Sequence, residues 1–243
     1  MPERIMLAWG ISQVFDKMGE KNMAAIAIDG PAGAGKSTIA KKVAKELGYI
    51  YVDTGAMYRA IAYYMVTNRI DIENDEELEA ACSRITIRIA YEDGVQQVYL
   101  NDENVTPYLR TEETGNMASK SSAKAPVRAA LLDLQRDMAK EYDVVMDGRD
   151  IGTNVLPDAE VKIYLTASSH ERANRRYKEL VEKGESPDFD QIEADIIERD
   201  NRDMNRAIAP LRQAEDAVLV DSSDMTIEEV VQAILKAADK IEK

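Results

Sequence analysis

The amino-acid sequence predicts an α/β fold in which helices surround a central parallel β-sheet. Short apolar runs typical of buried strands occur at residues 24–29, 49–52, 142–146, 161–165 and 217–221. Helical patterns separate these runs, as the crossovers of a parallel sheet require. The first run leads through a glycine-rich turn into a helix and then a second strand. This strand–loop–helix–strand unit is the usual opening of a parallel α/β sheet.

The glycine-rich turn reads Gly30-Pro31-Ala32-Gly33-Ala34-Gly35-Lys36-Ser37-Thr38. With a strand before it and a helix after it, the pattern G-x-x-x-x-G-K-S/T predicts a phosphate-binding P-loop. Glycines let several backbone N–H groups point at one centre, and the helix N-terminus adds its positive dipole end. We expect Lys36 at the β- and γ-phosphates, Ser37 as a Mg²⁺ ligand and Thr38 at the α-phosphate. The fold class is therefore a three-layer P-loop domain that binds a nucleoside triphosphate.

The helix after the P-loop carries an apolar stripe on residues 39–47 and ends at Gly48, a typical C-cap. A second helix is predicted at 56–67. Both belong to the parallel part of the fold.

A small α+β insertion is predicted at about residues 71–114. It begins with a short helix at 76–83. Two strands follow at 85–91 and 95–100, and the turn Glu92-Asp93-Gly94 joins them into an antiparallel hairpin.

The remaining chain returns to helices and buried strands. Helices are predicted at 126–141, 169–183, 191–208 and 226–241. A break at 184–188, which contains glycine and proline, separates the second from the third.

Charge and composition exclude several classes of protein. The formal net charge of −14 makes the chain a poor general binder of nucleic acid, although a local positive cluster can still hold a small anion. No apolar run approaches the ~18 residues that a membrane-spanning helix needs. The single cysteine, Cys82, excludes an intrachain disulfide and fits a reducing cytoplasm. We expect a cytoplasmic monomer that binds neither nucleic acid nor membrane.

Residues 1–23 form a predicted N-terminal extension. Its apolar residues fit a helical stripe better than a secretory signal, because the basic n-region is weak and Pro2 and Glu3 intrude. Met23 directly precedes the first strand and could be the functional start.

Polar and charged residues follow the carboxyl ends of two predicted strands, where a parallel α/β sheet binds its ligands. Arg59 follows the second strand, so we expect it near the P-loop. Asp147 and Arg149 follow the strand at 142–146. Asp147 stands where a P-loop enzyme keeps its Mg²⁺-associated acid, and Arg149 adds a guanidinium fork for phosphate.

A run of arginines lies on two later helices: Arg172, Arg175 and Arg176 on one, and Arg199, Arg202 and Arg206 on the next. The second set shares one helical face, and acidic neighbours could make this an ordinary charged surface. Beside a P-loop, arginines stabilise the charge that develops on a transferring phosphoryl group. The predicted catalytic residues are Lys36, Arg149, Arg176, Arg199 and Arg206.

From about residue 24 to the end, the chain resembles the bacterial cytidylate kinases. The segments that carry the resemblance are IDGPAGAGKST, DTGAMYRA, DGRDIGT, PDAEVKIYLTAS and ERDNRDMNRAIAPL. The resemblance implies one kinase domain over 24–243, with a CMP-binding part enlarged by the insertion. It also implies a mobile helical lid at about 172–190.

The resemblance also implies which residues bind the substrates. The implied CMP site comprises Thr54, Tyr58, Arg59, Ser119, Arg128, Arg149, Asp150, Arg199 and Asp203. Arg59 and Arg149 would hold the CMP phosphate; Ser119, Arg128 and Asp150 would read the base; Arg199 and Asp203 would lie near the ribose. Arg172 would lie near the adenine of ATP. Thr54 replaces a serine found in some members and keeps the hydroxyl group.

The chemistry of the substrate fits these roles. A carboxylate such as Asp150 accepts a hydrogen bond from cytosine N4, and Arg128 can donate to O2 or N3. Uracil would place an acceptor against the carboxylate, a mismatch of ~1–3 kcal/mol. The phosphate of a nucleotide is mostly dianionic at neutral pH and needs no general base.

Other functions remain open from the sequence. The acceptor could be UMP, AMP or an alcohol of the shikimate type. The chain could also be an ATPase or a nucleotide switch without an acceptor. Acceptor choice separates these, because an ATPase would hydrolyse ATP without stimulation by CMP.

Overall fold

The computed structural model describes residues 23–239, which divide into two compact units. The core unit comprises residues 23–52 and 138–239, and the inserted unit comprises residues 53–137. Residues 1–22 of the predicted extension and the end of the last predicted helix lie outside the described residues. The division into one kinase domain with an insertion at about 71–114 stays a prediction.

The strands are β1 Ala25–Asp29, β2 Ile50–Asp53, β3 Ile87–Glu92, β4 Val95–Leu100, β5 Glu103–Asn104, β6 Val144–Gly148, β7 Val161–Thr166 and β8 Val218–Asp221. The helices are α1 Lys36–Leu47, α2 Thr54–Thr67, α3 Asp75–Cys82, α4 Glu112–Ser121, α5 Ala125–Glu141, α6 Ser169–Glu182, α7 Phe189–Asn205 and α8 Ile227–Ala238.

The core unit is built on a five-stranded sheet in the order β2-β6-β1-β7-β8. Strand β1 pairs in parallel with β6 on one side and β7 on the other, and β7 pairs in parallel with β8. All five residues of β1 are buried, as the apolar run at residues 25–28 indicates for a central parallel strand. The predicted α/β fold with a parallel central sheet is confirmed.

Helices α1 and α8 pack on the sheet and close the hydrophobic core of this unit. Ile26 and Ile28 of β1, Val43 of α1 and Ile234 of α8 are fully buried in one cluster. Helix α1 ends at Gly48, whose φ of 72° places it in the left-handed region typical of a C-cap. The packing leaves the N-terminus of α1 at the carboxyl end of β1.

The inserted unit carries the predicted hairpin. Strands β3 and β4 pair in antiparallel register with Ile87 opposite Leu100, and the short β5 extends the sheet. Helix α2 packs against β4 and α4.

Helix α4 was not predicted because its sequence EETGNMASKS has few apolar residues and an internal glycine. Thr111 begins the helix by accepting a hydrogen bond from Thr114 N, and contacts with α2 supply the rest. Packing has therefore overridden weak helical periodicity.

Helices α6 and α7 occupy the region predicted as a lid and pack against each other. The predicted break between them is confirmed, since residues 183–188 are not helical. Helix α7 ends at Asn205, earlier than the predicted residue 208, because the backbone of Arg206 is extended. Among residues 23–239, no helix is long and apolar enough to cross a membrane.

Candidate active site

The P-loop begins with a glycine for which no other residue can substitute without moving the backbone. Gly30 has φ +151°, and a Cβ built on it would lie 1.9 Å from the carbonyl oxygen of Leu165 in β7. At the other end of the loop, Gly35 precedes α1 with φ 86°. These two glycines let the loop turn tightly between β1 and α1.

Lys36 is buried at the start of α1, with 6% of its surface exposed. Its Nζ donates to the carbonyl oxygen of Pro31 at 2.7 Å, so the side chain folds back over the loop. Burial, together with the charge of Arg149, lowers the pKa of Lys36 well below its usual value, while Asp147 and Asp29 act in the opposite sense. The negative charge of a phosphate would strongly stabilise a desolvated ammonium group of this kind.

The two residues predicted to bind Mg²⁺ lie together. The Ser37 hydroxyl donates to Asp147 Oδ2 at 3.0 Å, and Tyr51 OH donates to Asp147 Oδ1 at 2.9 Å. Asp147, on β6, is buried. Within residues 23–239 no group of three or more His, Cys, Asp or Glu side chains could hold a metal alone. A hydroxyl and a carboxylate placed side by side are oxygen donors of the kind that suit a hard cation such as Mg²⁺.

Arg149 and Asp203 form a partly buried ion pair in the core unit. Arg149 Nε donates to Asp203 Oδ2 at 2.9 Å, and its NH1 donates to the carbonyl oxygen of Gly148 at 3.2 Å. Burial alone would raise the pKa of Asp203, but Arg149, Arg199 and Arg206 together bring it below its usual value. These four predicted site residues thus lie in one electrostatic cluster.

Asp150 and Arg206 form a second pair, with both side chains buried. Arg206 NH2 lies 3.1 Å from Asp150 Oδ1, and their side chains are 4% and 5% exposed. Asp150 Oδ2 accepts from Asn154 Nδ2 at 3.2 Å, and Arg206 Nε donates to the carbonyl oxygen of Ala209. The carboxylate predicted to read a base is therefore held in place by the end of α7.

Arg172 is hydrogen-bonded to the backbone of the P-loop. Its NH1 donates to the carbonyl oxygen of Ala32 at 3.0 Å, and its NH2 pairs with Asp200 of α7 at 2.7 Å. Its side chain is 5% exposed. Arg172 thus ties α6, α7 and the loop together, and its predicted contact with adenine stays a prediction.

Arg176 is the predicted catalytic residue that the structure does not bring to the cluster. Its side chain is 49% exposed and pairs with Glu179 one turn later on α6. Its neighbour Arg175 turns the other way and donates to the carbonyl oxygen of Ser222. The catalytic role of Arg176 stays a prediction.

In the inserted unit, Arg59 folds back over the start of α2. The helix is capped by Asp53, whose Oδ1 accepts from Ala56 N at 2.8 Å. A Cβ on Gly55 would lie 3.1 Å from Asp53 Oδ1 and 3.3 Å from Arg59 NH1. Gly55 therefore makes room for the guanidinium beside the buried Thr54.

Three residues predicted to bind CMP, namely Tyr58, Ser119 and Arg128, lie together in the same unit. The guanidinium of Arg128 is 5.7 Å from the centre of the Tyr58 ring, and its NH1 donates to the carbonyl oxygen of Ser122 at 3.3 Å. The Ser122 hydroxyl donates in turn to the carbonyl oxygen of Ser119. Arg128 and Ser119 are both buried, so these polar groups are held in fixed positions.

Sequence reasoning missed three residues that shape the site: Asp29, Tyr51 and Gln96. Tyr51 fixes Asp147, while Gln96 bonds both the N–H and the carbonyl oxygen of Asp53 at 2.9 and 3.1 Å. A carboxylate directly before the first P-loop glycine was a readable signal for Asp29. Gln96 gave none, because a glutamine in a hairpin is normally exposed.

Comparison with known proteins gives one consistent family. The model of the family described as cytidylate kinase matches residues 26–240. A cytidylate kinase of Caldicellulosiruptor saccharolyticus is 50% identical over 216 residues, which is 89% of this chain and 96% of that protein. One from Lactobacillus gasseri is 47% identical over 227 residues, or 93% of this chain and 99% of that protein.

Solved structures add a likeness in fold. The crystal structure of an uncharacterized protein from Eubacterium ventriosum matches with a TM-score of 0.50 at 12% identity, covering 90% of this chain and 99% of that one. This likeness concerns the fold alone.

Proposed function

The chain belongs to the cytidylate kinase family, and from that premise we propose that it transfers the γ-phosphoryl group of MgATP to CMP or dCMP, giving ADP and CDP or dCDP. One observation of the structure carries the proposal furthest. Lys36 is buried in the P-loop, and Arg149, Asp147 and Asp203 all lie close enough to shift its pKa. Phosphoryl transfer needs such a charged cluster, because the reaction is catalysed by positioning and electrostatic stabilisation.

The P-loop is proposed to hold the triphosphate of ATP. The backbone N–H groups of residues 32–38 and the N-terminus of α1 face the phosphates, and Lys36 offsets charge on the β- and γ-phosphates. Binding replaces the contact of Lys36 Nζ with Pro31 by contacts to anionic oxygen. Arg172 stabilises the loop by donating a hydrogen bond to the carbonyl oxygen of Ala32.

Mg²⁺ is proposed to bind with ATP at Ser37 and Asp147. The hydroxyl and carboxylate already lie within hydrogen-bond distance of each other, and both are hard oxygen donors of the kind that Mg²⁺ prefers. When bound, the ion neutralises charge on the phosphates. Tyr51 holds the carboxylate in its orientation.

The acceptor is proposed to be held by the nine predicted CMP-binding residues. Asp150, paired with Arg206, presents a carboxylate that accepts hydrogen bonds and suits cytosine N4. Arg128 and Ser119 supply donors for the acceptor atoms of the base. Arg59 and Arg149 take the phosphate, while Arg199 and Asp203 take the ribose.

The reaction as proposed uses no general base. The only histidine of the sequence, His170, is 66% exposed and faces Glu193 rather than the cluster around Lys36. The dianionic CMP phosphate attacks directly, and Arg149, Arg199 and Arg206 stabilise the charge on the transferred group. Arg176, on α6, is proposed to act with them.

We also propose that the enzyme works in the cytoplasm as a monomer, without nucleic acid. The net charge of −14 and the single cysteine support this. Sedimentation of the purified chain would test the oligomeric state.

Product identification tests the proposed function. Purified protein is incubated with MgATP and CMP, and the nucleotides are separated by ion-exchange chromatography. We expect CDP and ADP in equal amounts. ADP with inorganic phosphate and no CDP would instead identify an ATPase or a nucleotide switch.

A further inference from the structure

Asp29, the last residue of β1, is a buried carboxylate that the proposed reaction does not use. Only 5% of its surface is exposed. Its Oδ1 accepts a hydrogen bond from Ile151 N, and its Oδ2 accepts one from Gly152 N, both at 2.8 Å. The carboxylate therefore binds two successive backbone N–H groups of one turn.

That turn is unusual. Residues Ile151–Val155 form a π-helical turn, a rare conformation that often occurs at functional sites. It begins directly after Arg149 and Asp150. The two N–H groups that Asp29 binds lie at its start, where a helix leaves its first donors without intrahelical partners.

The turn is also packed closely against Asp29. A Cβ on Gly152 would lie 3.1 Å from Lys162 Cδ and 3.5 Å from Asp29 Oδ2. Lys162 is itself fixed by Asp216, at 2.7 Å. The turn thus has little freedom to shift on the side that faces β1.

The backbone next to Asp29 in the P-loop is also constrained. Asp29 directly precedes Gly30, which approaches the carbonyl oxygen of Leu165 too closely to accept a side chain. Through this one carboxylate, the start of the P-loop is bonded to the segment that carries Arg149 and Asp150.

We propose that Asp29 is a positioning residue that sets the orientation of Arg149 and Asp150 relative to the P-loop. This inference rests on the proposed function, in which Arg149 holds the CMP phosphate and Asp150 reads the base. Asp29 touches neither substrate. It acts through the backbone of the turn.

The chemistry requires a carboxylate at this position. Each oxygen must accept from a different N–H group, and an amide offers one acceptor and one donor. Burial raises the pKa of Asp29 to about 6 against the opposing effect of the two backbone hydrogen bonds, with Asp150 raising it further and Lys36 lowering it. The group is therefore mostly ionised at neutral pH.

The test compares Asp29→Asn with Asp143→Asn. Asp143 is a matched control because it accepts a single hydrogen bond, from Ala24 N at the opposite end of β1, which an asparagine oxygen can still accept. We expect Asp29→Asn to lower kcat/KM for CMP about 10- to 100-fold, because one buried N–H is left without an acceptor and the turn that carries Arg149 and Asp150 shifts to satisfy it. The affinity for ATP alone should stay unchanged, and Asp143→Asn should behave as wild type.

A double-mutant cycle separates positioning from a general loss of structure. If Asp29 acts through Arg149, then combining Asp29→Asn with Arg149→Met should lower kcat/KM little further than Arg149→Met alone. Fully additive losses, or equal losses for CMP and ATP, would overturn the inference. If Asp29→Asn does not fold, Gly152→Ala strains the same turn, and the same cycle with Arg149→Met decides.

The same experiment tests the proposed function separately from the role of Asp29. A wild-type enzyme that does not phosphorylate CMP overturns the proposed function and this inference together. A wild-type enzyme active on CMP, with additive variants, overturns the role of Asp29 alone.

Discussion

Lys36 shows how burial serves binding at the scale of one residue. A lysine whose ammonium group is desolvated by burial destabilises the fold, and bound phosphates relieve that cost. Relief of this desolvation therefore contributes part of the free energy of ATP binding.

Replacing Lys36 by alanine tests this directly. We expect kcat to fall about 100- to 1000-fold, the range found when one preorganised electrostatic donor is removed. The thermal midpoint should not fall, because the substitution removes a desolvated charge. Lys45→Ala, on the exposed face of α1, is the control and should leave both quantities unchanged. An active Lys36→Ala enzyme would contradict the phosphate-binding role.

Arg128 gives a second prediction at this scale. Arg128→Met keeps the buried stem and removes the guanidinium, so we expect KM for CMP to rise about 10- to 100-fold while KM for ATP stays unchanged. The matched variant Arg84→Met removes an exposed arginine of the same unit and should change neither. If both KM values rose together in Arg128→Met, Arg128 would not be a base reader.

At the scale of elements, the P-loop depends on close approach of two backbones. Gly30→Ala places a methyl group 1.9 Å from the carbonyl oxygen of Leu165, so β1 or β7 must move. We expect a loss of several kcal/mol in the free energy of unfolding, beyond the common range of about 0.5–3 kcal/mol for single substitutions.

The control substitution for this prediction should raise the free energy of unfolding rather than lower it. Gly115 lies within α4, and a Cβ there would meet nothing within 4 Å. Gly115→Ala should therefore raise the free energy of unfolding by about 0.5–1 kcal/mol, the cost of glycine in a helix. Urea titration of both variants measures the difference, and equal effects would show that the close approach at Gly30 is not the cause.

How far the sequence predicts each element depends on whether local pattern or packing decides it. Strands β1, β6 and β7 are short and mainly apolar, and their positions followed from composition. Helix α4 and the π-helical turn depend on contacts distant in the chain, with α2 and with Asp29 respectively. The sequence contains no periodicity that would indicate either.

The candidate site likewise contains some residues that sequence motifs predict and others that only the packing reveals. Motif spacing identified Lys36, Ser37 and Asp147, because strand ends of a parallel sheet meet at one edge. It did not identify Arg172 as a support for the loop, since a helical arginine among acidic neighbours looks solvent-exposed. The buried ion pair between Arg172 of α6 and Asp200 of α7 forms only once the helices are packed.

At the scale of the whole molecule, Asp29 and Asp203 make stability depend on pH in opposite senses. The pKa of Asp29 is about 6, above the unfolded value of 3.8, so the folded chain takes up a proton first as pH falls through 6. Its protonation favours folding by about 3 kcal/mol, at roughly 1.4 kcal/mol per unit of pKa. This contribution is complete below the unfolded pKa and is lost as pH rises through 6.

Asp203 acts in the opposite direction, because its pKa lies below the unfolded value. Its contribution is present above the unfolded pKa and is lost under strong acid. We expect the free energy of unfolding to rise between neutral pH and mildly acidic pH and to fall in strong acid. In Asp29→Asn the first rise should disappear, and urea titrations over this range would show whether it does.

The central claim, that this chain phosphorylates CMP, is tested most directly by initial rates of ADP release. Purified protein is assayed with MgATP and, separately, CMP, dCMP, UMP, AMP or no acceptor. The account predicts fast turnover with CMP and dCMP, slow turnover with UMP and almost none without acceptor. ADP release that proceeds without an acceptor and does not respond to CMP would contradict it.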